Sequence, residues 1–353
     1  MTDWILKSEE RAILTLRRLY RQYGYIPYKM SRFEDYDLYV RNKDFLVSDQ
    51  IITFSGSGGR LLALKPDVTL SIVKNAPQQP GVVQKVYYNE NVYRDYREIL
   101  QAGLECVGDL GEYEIAEVVL LAVKSLRLLG EDVVLEISHM GLISALLDSC
   151  GLDSREKKQA MEYLRRKNSH QLKALCADNP EARKKLEGLI SCRSLDQLAK
   201  VLTTEAERSA LQQLYSLWAI LKNSGCEEYV RLDFSVGSDL GYYSGVVFRG
   251  YLEGIPTGIL SGGQYDRLPR KMGRNARAIG FAIYVDLLQQ RSREADLLDV
   301  DTLILHDGTV DTAVLSRAAE EAAKEGTVLV ARELPADRSW KKLLRFGKGG
   351  IQP

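Results

Sequence analysis

Residues Asn91-Val92-Tyr93-Arg94-Asp95-Tyr96-Arg97-Glu98-Ile99-Leu100-Gln101-Ala102-Gly103-Leu104-Glu105 carry the pattern on which the reading of this chain turns. They lie in a strand-rich region, with strands expected over Val82–Asn89 and Glu98–Val107, where aliphatic, β-branched and aromatic residues crowd together. Gln101 and Glu105 are four apart, so on a strand both project from one face, ~13 Å apart at ~3.3 Å per residue. That spacing suits contacts to opposite ends of one small ligand.

Upstream, Ile13, Leu16, Leu19, Tyr20 and Tyr23 form one helical stripe over about 3–23, and Gly24 follows as the stop. Gln50–Phe54 and Arg60–Lys65 read as strands joined by Ser55-Gly56-Ser57-Gly58-Gly59. With no Gly-Lys-Ser/Thr and no helix start behind it, that glycine cluster is a hairpin turn rather than a phosphate loop. Downstream a helix is expected over Glu112–Leu129. Over 141–222 the spacing is helical throughout, with breaks at Gly151, Asn179-Pro180 and Thr203-Thr204, which marks a helical insertion. Its modest basic surplus reads as a solvated helical face. Strands return at Glu228–Phe234, Gly245–Leu252, Pro256–Ser261 and Ala278–Val285. After Arg293 a short strand–helix–strand tail ends in a basic coil, Arg338–Pro353.

The 353 residues carry 48 Lys+Arg against 48 Asp+Glu, and 45% are hydrophobic. That is a globular composition with no large surplus of cations for gripping nucleic acid. Five scattered cysteines without a C-x-x-C pair argue against a structural zinc or a disulfide framework and for a reducing compartment. No secretory leader and no membrane span are read in the sequence, so the expected location is the cytoplasm.

Several separated pieces, taken in order, resemble the core of a class II aminoacyl-tRNA synthetase, specifically the histidyl enzyme. Leu64-Lys65-Pro66-Asp67-Val68-Thr69 is similar to L-R-P-[ED]-x-T, and Arg94 with Arg97–Glu105 to the family's second motif. Tyr242-Tyr243-Ser244-Gly245-Val246-Val247-Phe248 resembles the histidine-specific Y-Y-x-x-x-V-F. Gly262-Gly263-Gln264-Tyr265-Asp266 resembles G-G-R-Y-D, and Ala278–Ala282 the glycine-rich half of the third motif. The resemblance implies an α+β fold, an antiparallel sheet flanked by helices, over 1–293, with the insertion at 141–222 and a truncated α/β segment at 294–353. It also implies a histidine pocket. Asp67, Thr69 and Gln101 offer oxygens to the ammonium, and Glu105 with the phenols of Tyr242, Tyr243 or Tyr265 meets the imidazole nitrogens.

Departures from the pattern fall on nucleotide and tRNA functions. Only Asp95 and Tyr96 stand where the family has a loop reaching for adenine and the acceptor end. The arginine that works on the α-phosphate is replaced by Ser238, beside Asp239. The arginine closing the third motif is replaced by Leu287, in Tyr284-Val285-Asp286-Leu287. Adenylyl transfer rests on placed cations, where one loss commonly costs ~10²–10³ in rate. The residues from Glu294 onward hold 8 basic and 11 acidic side chains, a poor balance for an RNA-binding domain.

A histidyl-synthetase-like core without this machinery resembles the regulatory subunits of ATP phosphoribosyltransferase. That resemblance implies a non-catalytic chain with no cofactor, no metal and no tRNA. It implies three partners: a short-form catalytic subunit in a hetero-octamer, a second copy through the motif 1 region around Gly24–Tyr39, and free histidine as feedback ligand. The residues also allow a divergent histidyl-tRNA synthetase, or a stand-alone synthetase paralogue that binds an amino acid. His139 is read as a packed structural histidine.

Overall fold

The apolar stripe of the first helix becomes α1 (Ser8–Gln22), which buries Ala12, Leu16, Leu19 and Tyr20. The computed structural model describes residues 6–46, 50–77, 79–177, 179–236, 241–289, 300–336, 338–347 and 350–352. They form two compact units, Glu9–Leu288 and one built from Gln289–Pro353 with the N-terminal Met1–Ser8.

The first unit is organised by two twelve-residue strands, β5 (Val83–Arg94) and β6 (Arg97–Gly108), paired antiparallel along their whole length. They stand at one end of an eight-stranded sheet. Its other members are β1 (Ile26–Pro27), β7 (Val133–His139), β8 (Val230–Leu232), β9 (Val246–Leu252), β10 (Leu260–Gln264) and β11 (Arg277–Tyr284). The order is β1-β5-β6-β11-β10-β9-β7-β8. Pairing is antiparallel in the interior and parallel only at the two edges, β1 with β5 and β7 with β8.

One face of the sheet is sealed by α4 (Glu112–Leu129), whose Val119, Ala122, Val123 and Leu126 join Leu104, Cys106, Leu260 and Phe281 in the main core. Contact is close enough that a Cβ on Gly250 would sit 2.6 Å from Leu126 Cδ1. Period-2 alternation along β6 therefore sorts its residues. Ala102, Leu104 and Cys106 go to the core, whereas Gln101, Gly103 and Glu105 go to the opposite face. On that face sits α3 (Thr69–Asn75), beside a small sheet of β2 (Phe33–Asp35), β3 (Thr53–Ser55) and β4 (Leu61–Leu64). The glycine cluster is the β3–β4 turn, with Gly58 and Gly59 at φ +71° and +76°, where a side chain would be strained.

Between β7 and β8 the chain leaves the sheet as six helices, α5 (Met140–Ser149), α6 (Ser154–Arg165), α7 (Ser169–Leu175), α8 (Pro180–Ser191), α9 (Leu195–Ala199) and α10 (Glu205–Asn223). Their starts are fixed by side chains. Asp153, Asn168, Asn179, Ser194 and Thr204 each accept a first-turn N–H, and Pro180 occupies the first turn of α8, where no donor is needed. A buried Lys185–Glu207 pair at 3.0 Å, with Ser149 and Thr203 on the same ammonium, ties α8 to α10 and α5.

In the second unit, β12 (Val300–His306), β13 (Val328–Ala331), β14 (Trp340–Gly347) and β15 (Gly350–Gln352) form a sheet in the order β13-β12-β14-β15, with a helix over Thr312–Ala323. The coil expected over Arg338–Pro353 is corrected here. Trp340–Phe346 pairs parallel with Val300–His306. Lys341 and Lys342 point to solvent while Trp340, Leu343 and Leu344 are half-buried and Phe346 is buried, so the apolar positions outweigh the charge run.

The β5–β6 turn has only Asp95 and Tyr96 between paired Arg94 and Arg97, at φ 51° and 60°. This two-residue turn favours glycine at its second position, yet holds an 83% exposed tyrosine. Tyr96→Gly is expected to stabilise the fold by about 0.5–1 kcal/mol. The readout is a higher urea midpoint at unchanged m-value; a lower midpoint would show that the Tyr96 side chain contributes more than its backbone costs.

Candidate functional site

Two rows of directly paired residues cross the face opposite α4. One runs Gly103–Ala282–Ser261–Arg249 and the other Glu105–Gly280–Gly263–Val247, each spanning β6, β11, β10 and β9. Gly103, Ala282, Ser261, Gly280 and Gly263 leave a trough, with Glu105 rising at its β6 end and Arg249 and Val247 at its β9 end. The result is a cavity of about 410 Å³, within the size range of small-molecule sites. Several of these glycines are required. A Cβ on Gly280 would lie 1.7 Å from Glu105 Oε2, and one on Gly103 would lie 2.3 Å from the Phe281 carbonyl oxygen.

Glu105 stands at one end of the trough. Its Oε1 accepts from Thr69 Oγ1 at 2.8 Å, and its Oε2 accepts from the Tyr265 hydroxyl. Burial pushes the carboxyl up to about 8, against the pull of those two donors. Asp67 lies above the trough just ahead of α3, its Oδ1 accepting from Leu70 N at 2.9 Å. Burial raises its pKa too, and Arg94 opposes that shift. The backbone N–H of Tyr93 donates to the Lys65 carbonyl at 2.9 Å, which docks the Lys65–Asp67 segment on the end of β5. Arg94 thereby meets Asp67 Oδ2 at 3.5 Å, and its Nε donates to the Pro66 carbonyl at 2.6 Å.

The aromatic wall is continuous. Tyr242 packs between Phe45 and Tyr265 with ring centroids 5.5 and 6.0 Å away, and lies 4.6 Å from Tyr243. Tyr243 covers Gly263, where a Cβ would fall 2.8 Å from its ring. Burial drives all three phenols upward, so they are neutral hydroxyls at physiological pH. Asp266 fixes the β10–β11 hairpin by accepting from Ala278 N at 3.0 Å and Gln264 Nε2 at 2.7 Å.

The structure brings Asp67, Thr69, Gln101, Glu105, Tyr242, Tyr243 and Tyr265 into this one cavity. Further lining residues that sequence reasoning missed include Phe45, Tyr88, Arg249, Ser261 and Tyr284. Arg249 did leave a signal, a charge directly after Val246-Val247-Phe248 in a strand. Of the positions where phosphate-facing arginines were sought, Leu287 packs against the main core. Ser238 and Asp239 lie outside the described residues. Arg94 is engaged by Asp67 and Pro66. His139 is buried at the start of α5, where Nδ1 accepts from Leu142 N at 3.1 Å and Nε2 meets Gln213 Oε1 at 3.0 Å. Burial lowers it to about 4, which fits a packed neutral ring.

A model of the histidyl-tRNA synthetase family matches residues 6–288 of the chain. An ATP phosphoribosyltransferase regulatory subunit from Clostridium kluyveri is 31% identical over 291 residues, covering 77% of this chain and 74% of that protein. Among solved structures, an ATP phosphoribosyltransferase regulatory subunit/histidyl-tRNA synthetase from Bacillus halodurans superposes with a TM-score of 0.77 at 22% identity, covering 96% of this chain and 94% of that one. A chain of the ATP phosphoribosyl transferase (HisG:HisZ) complex from Thermotoga maritima gives a TM-score of 0.62 at 21% identity, covering 77% and 96%. These structural likenesses establish the fold.

The shift at Glu105 predicts a pH dependence of stability. In the unfolded chain the group titrates near 4.5, and in the fold near 8. Its stabilising contribution is therefore complete below about pH 4.5 and is lost as pH rises through 8. Glu105→Gln, always neutral, should melt above the wild type at pH 9 and close to it at pH 5. Parallel melting profiles across that range would remove the buried, protonated Glu105.

Proposed function

From the premise that this chain belongs to the ATP phosphoribosyltransferase regulatory subunits of the histidyl-tRNA synthetase-like family, we propose that its cavity binds free histidine and reports it to a short-form catalytic subunit. The role of the chain is regulatory and not catalytic. One observation carries the histidine reading. Seven residues with the chemistry to contact an amino acid line a single cavity, while the phosphate-facing cations are replaced or, at Arg94, held by neighbours.

In this assignment Asp67, Thr69 and Gln101 surround the ammonium, and Glu105 with Tyr265 meets the imidazole. Histidine inhibits because it binds two states of the assembly with different affinity; nothing else is needed to shift the population. The partner is the catalytic subunit, four copies of each chain forming a hetero-octamer. The regulatory chains pair through the region that follows α1. Supporting that, Ile26 and Phe33 are exposed within Gly24–Tyr39, and Phe33 packs edge-on against the exposed Phe54 with ring centroids 5.7 Å apart.

The deciding experiment mixes this chain with a short-form catalytic subunit and follows phosphoribosyl-ATP formation with and without histidine. Activation by the chain and inhibition by histidine are expected; no activation over the catalytic subunit alone would sink the reading. Binding should also be bell-shaped in pH. The complex holds one proton between Glu105 and the imidazole. Free Glu105 loses its proton above about 8, and free imidazole gains a second one below ~6.5. Affinity should therefore fall on both sides of that window, and calorimetry with Glu105→Ala should show at least a tenfold loss at its centre. For the homodimer, Phe33→Asp combined with Phe54→Asp should give a monomer in sedimentation velocity, and an unchanged dimer would move the interface elsewhere.

A further inference from the structure

We propose that Arg249 receives the ligand's carboxylate and so restricts the cavity to amino acids with a free carboxyl group; the inference rests on the histidine reading above. Among the described residues lining the cavity, the cations are Arg94 and Arg249. Arg94 is already matched. Its guanidinium meets the Asp67 carboxylate and the Pro66 carbonyl, and Asp67 is one of the groups that surround the ammonium.

Arg249 stands at the far side of the trough from Glu105. β6 and β9 are three strand spacings apart, ~14 Å at ~4.8 Å each, and the intervening residues Ala282, Ser261, Gly280 and Gly263 are small. A molecule lying across that floor has its imidazole end at Glu105 and its other end toward Arg249. The position is built rather than incidental. A Cβ on Gly258 would lie 2.8 Å from Arg249 Cγ and Cδ, so the bare glycine makes the bed for the arginine stem. Glu136, directly opposite on β7, is a carboxylate neighbour, and the Tyr251 side chain, two residues along β9, shares a hydrogen bond with Arg249. A guanidinium with five N–H donors keeps others for a ligand. Tyr243 and Ser261 border the same stretch of floor. A guanidinium so placed offers a carboxylate two parallel N–H donors, a geometry that lysine cannot reproduce. It supplies from an exposed position on β9 a cation that the sequence no longer provides at Ser238.

The test compares histidine with histidinol, which keeps the imidazole and ammonium but carries an alcohol in place of the carboxylate. Both are titrated by calorimetry into the full chain, alone and with its catalytic subunit. Wild type should prefer histidine. Arg249→Gln should weaken histidine about tenfold to a hundredfold while changing histidinol less than about threefold. Arg249→Lys should recover only part of the loss. Gly258→Ala, which displaces the stem without touching the charge, should give the same signature in weaker form. Equal losses for both ligands in Arg249→Gln would make Arg249 a structural residue and overturn the proposal, as would no loss for either. If wild type binds neither ligand, the histidine reading itself falls, and this inference with it; if wild type binds both alike, only the carboxylate contact falls.

Discussion

A carboxyl group taken out of water sets the terms for this molecule. Glu105 is buried on a sheet face, and desolvation alone would make that position costly. It is tolerated because Thr69 and Tyr265 donate to its two oxygens and because Gly280 leaves the space in which it sits. Those requirements spread outward. Thr69 opens α3, so α3 must lie against this face. Tyr265 follows β10, so β10 must register with β11 as it does. The aromatic wall of Phe45, Tyr242 and Tyr243 then closes the space around the acid.

On the histidine reading proposed above, the same face keeps a small-molecule cavity where the nucleotide-facing residues of the family are gone. In the cavity half, Glu105, Thr69 and Tyr265 are held by hydrogen bonds to one another, and Asp67 by Leu70 N and Arg94. In the other half, Leu287 has gone into the core and Arg94 is anchored to the Lys65–Asp67 segment. The β5–β6 connection has contracted to two residues, leaving no length of chain to wrap a nucleotide. Binding and group transfer place different demands on a site. The first needs shape and hydrogen bonds, whereas the second needs placed charge, which is expensive to keep when unused.

Much of this was legible in the sequence wherever the governing rule is local. Period-2 alternation put Gln101 and Glu105 on one face, and the breaks at Gly151, Asn179-Pro180 and Thr203-Thr204 fall between helices of the insertion because caps act within one turn. Non-local pairing was harder. Nothing near Arg249 says that Ser261, Ala282 and Gly103 will lie in its row, since that follows from the register of four strands distant in the chain. The terminal stretch was misread for a related reason. Lys341 and Lys342 dominate its composition, but the partner that makes Trp340–Phe346 a strand is β12, some forty residues earlier. Tyr96 ran against turn preference, and only the pairing of Arg94 with Arg97 reveals the conformation it must adopt.

The trough floor also has a genetic consequence. A glycine codon changed at one base so that it encodes a different amino acid yields alanine, serine, cysteine, valine, aspartate, glutamate, arginine or tryptophan, and every one of these carries a Cβ. At Gly280 that atom would arrive 1.7 Å from the Glu105 carboxylate, and at Gly263 2.8 Å from the Tyr243 ring. Such positions have no neutral neighbours in sequence space. The hollow can drift only by being filled, so a lineage that stopped using it would lose it within few mutational steps.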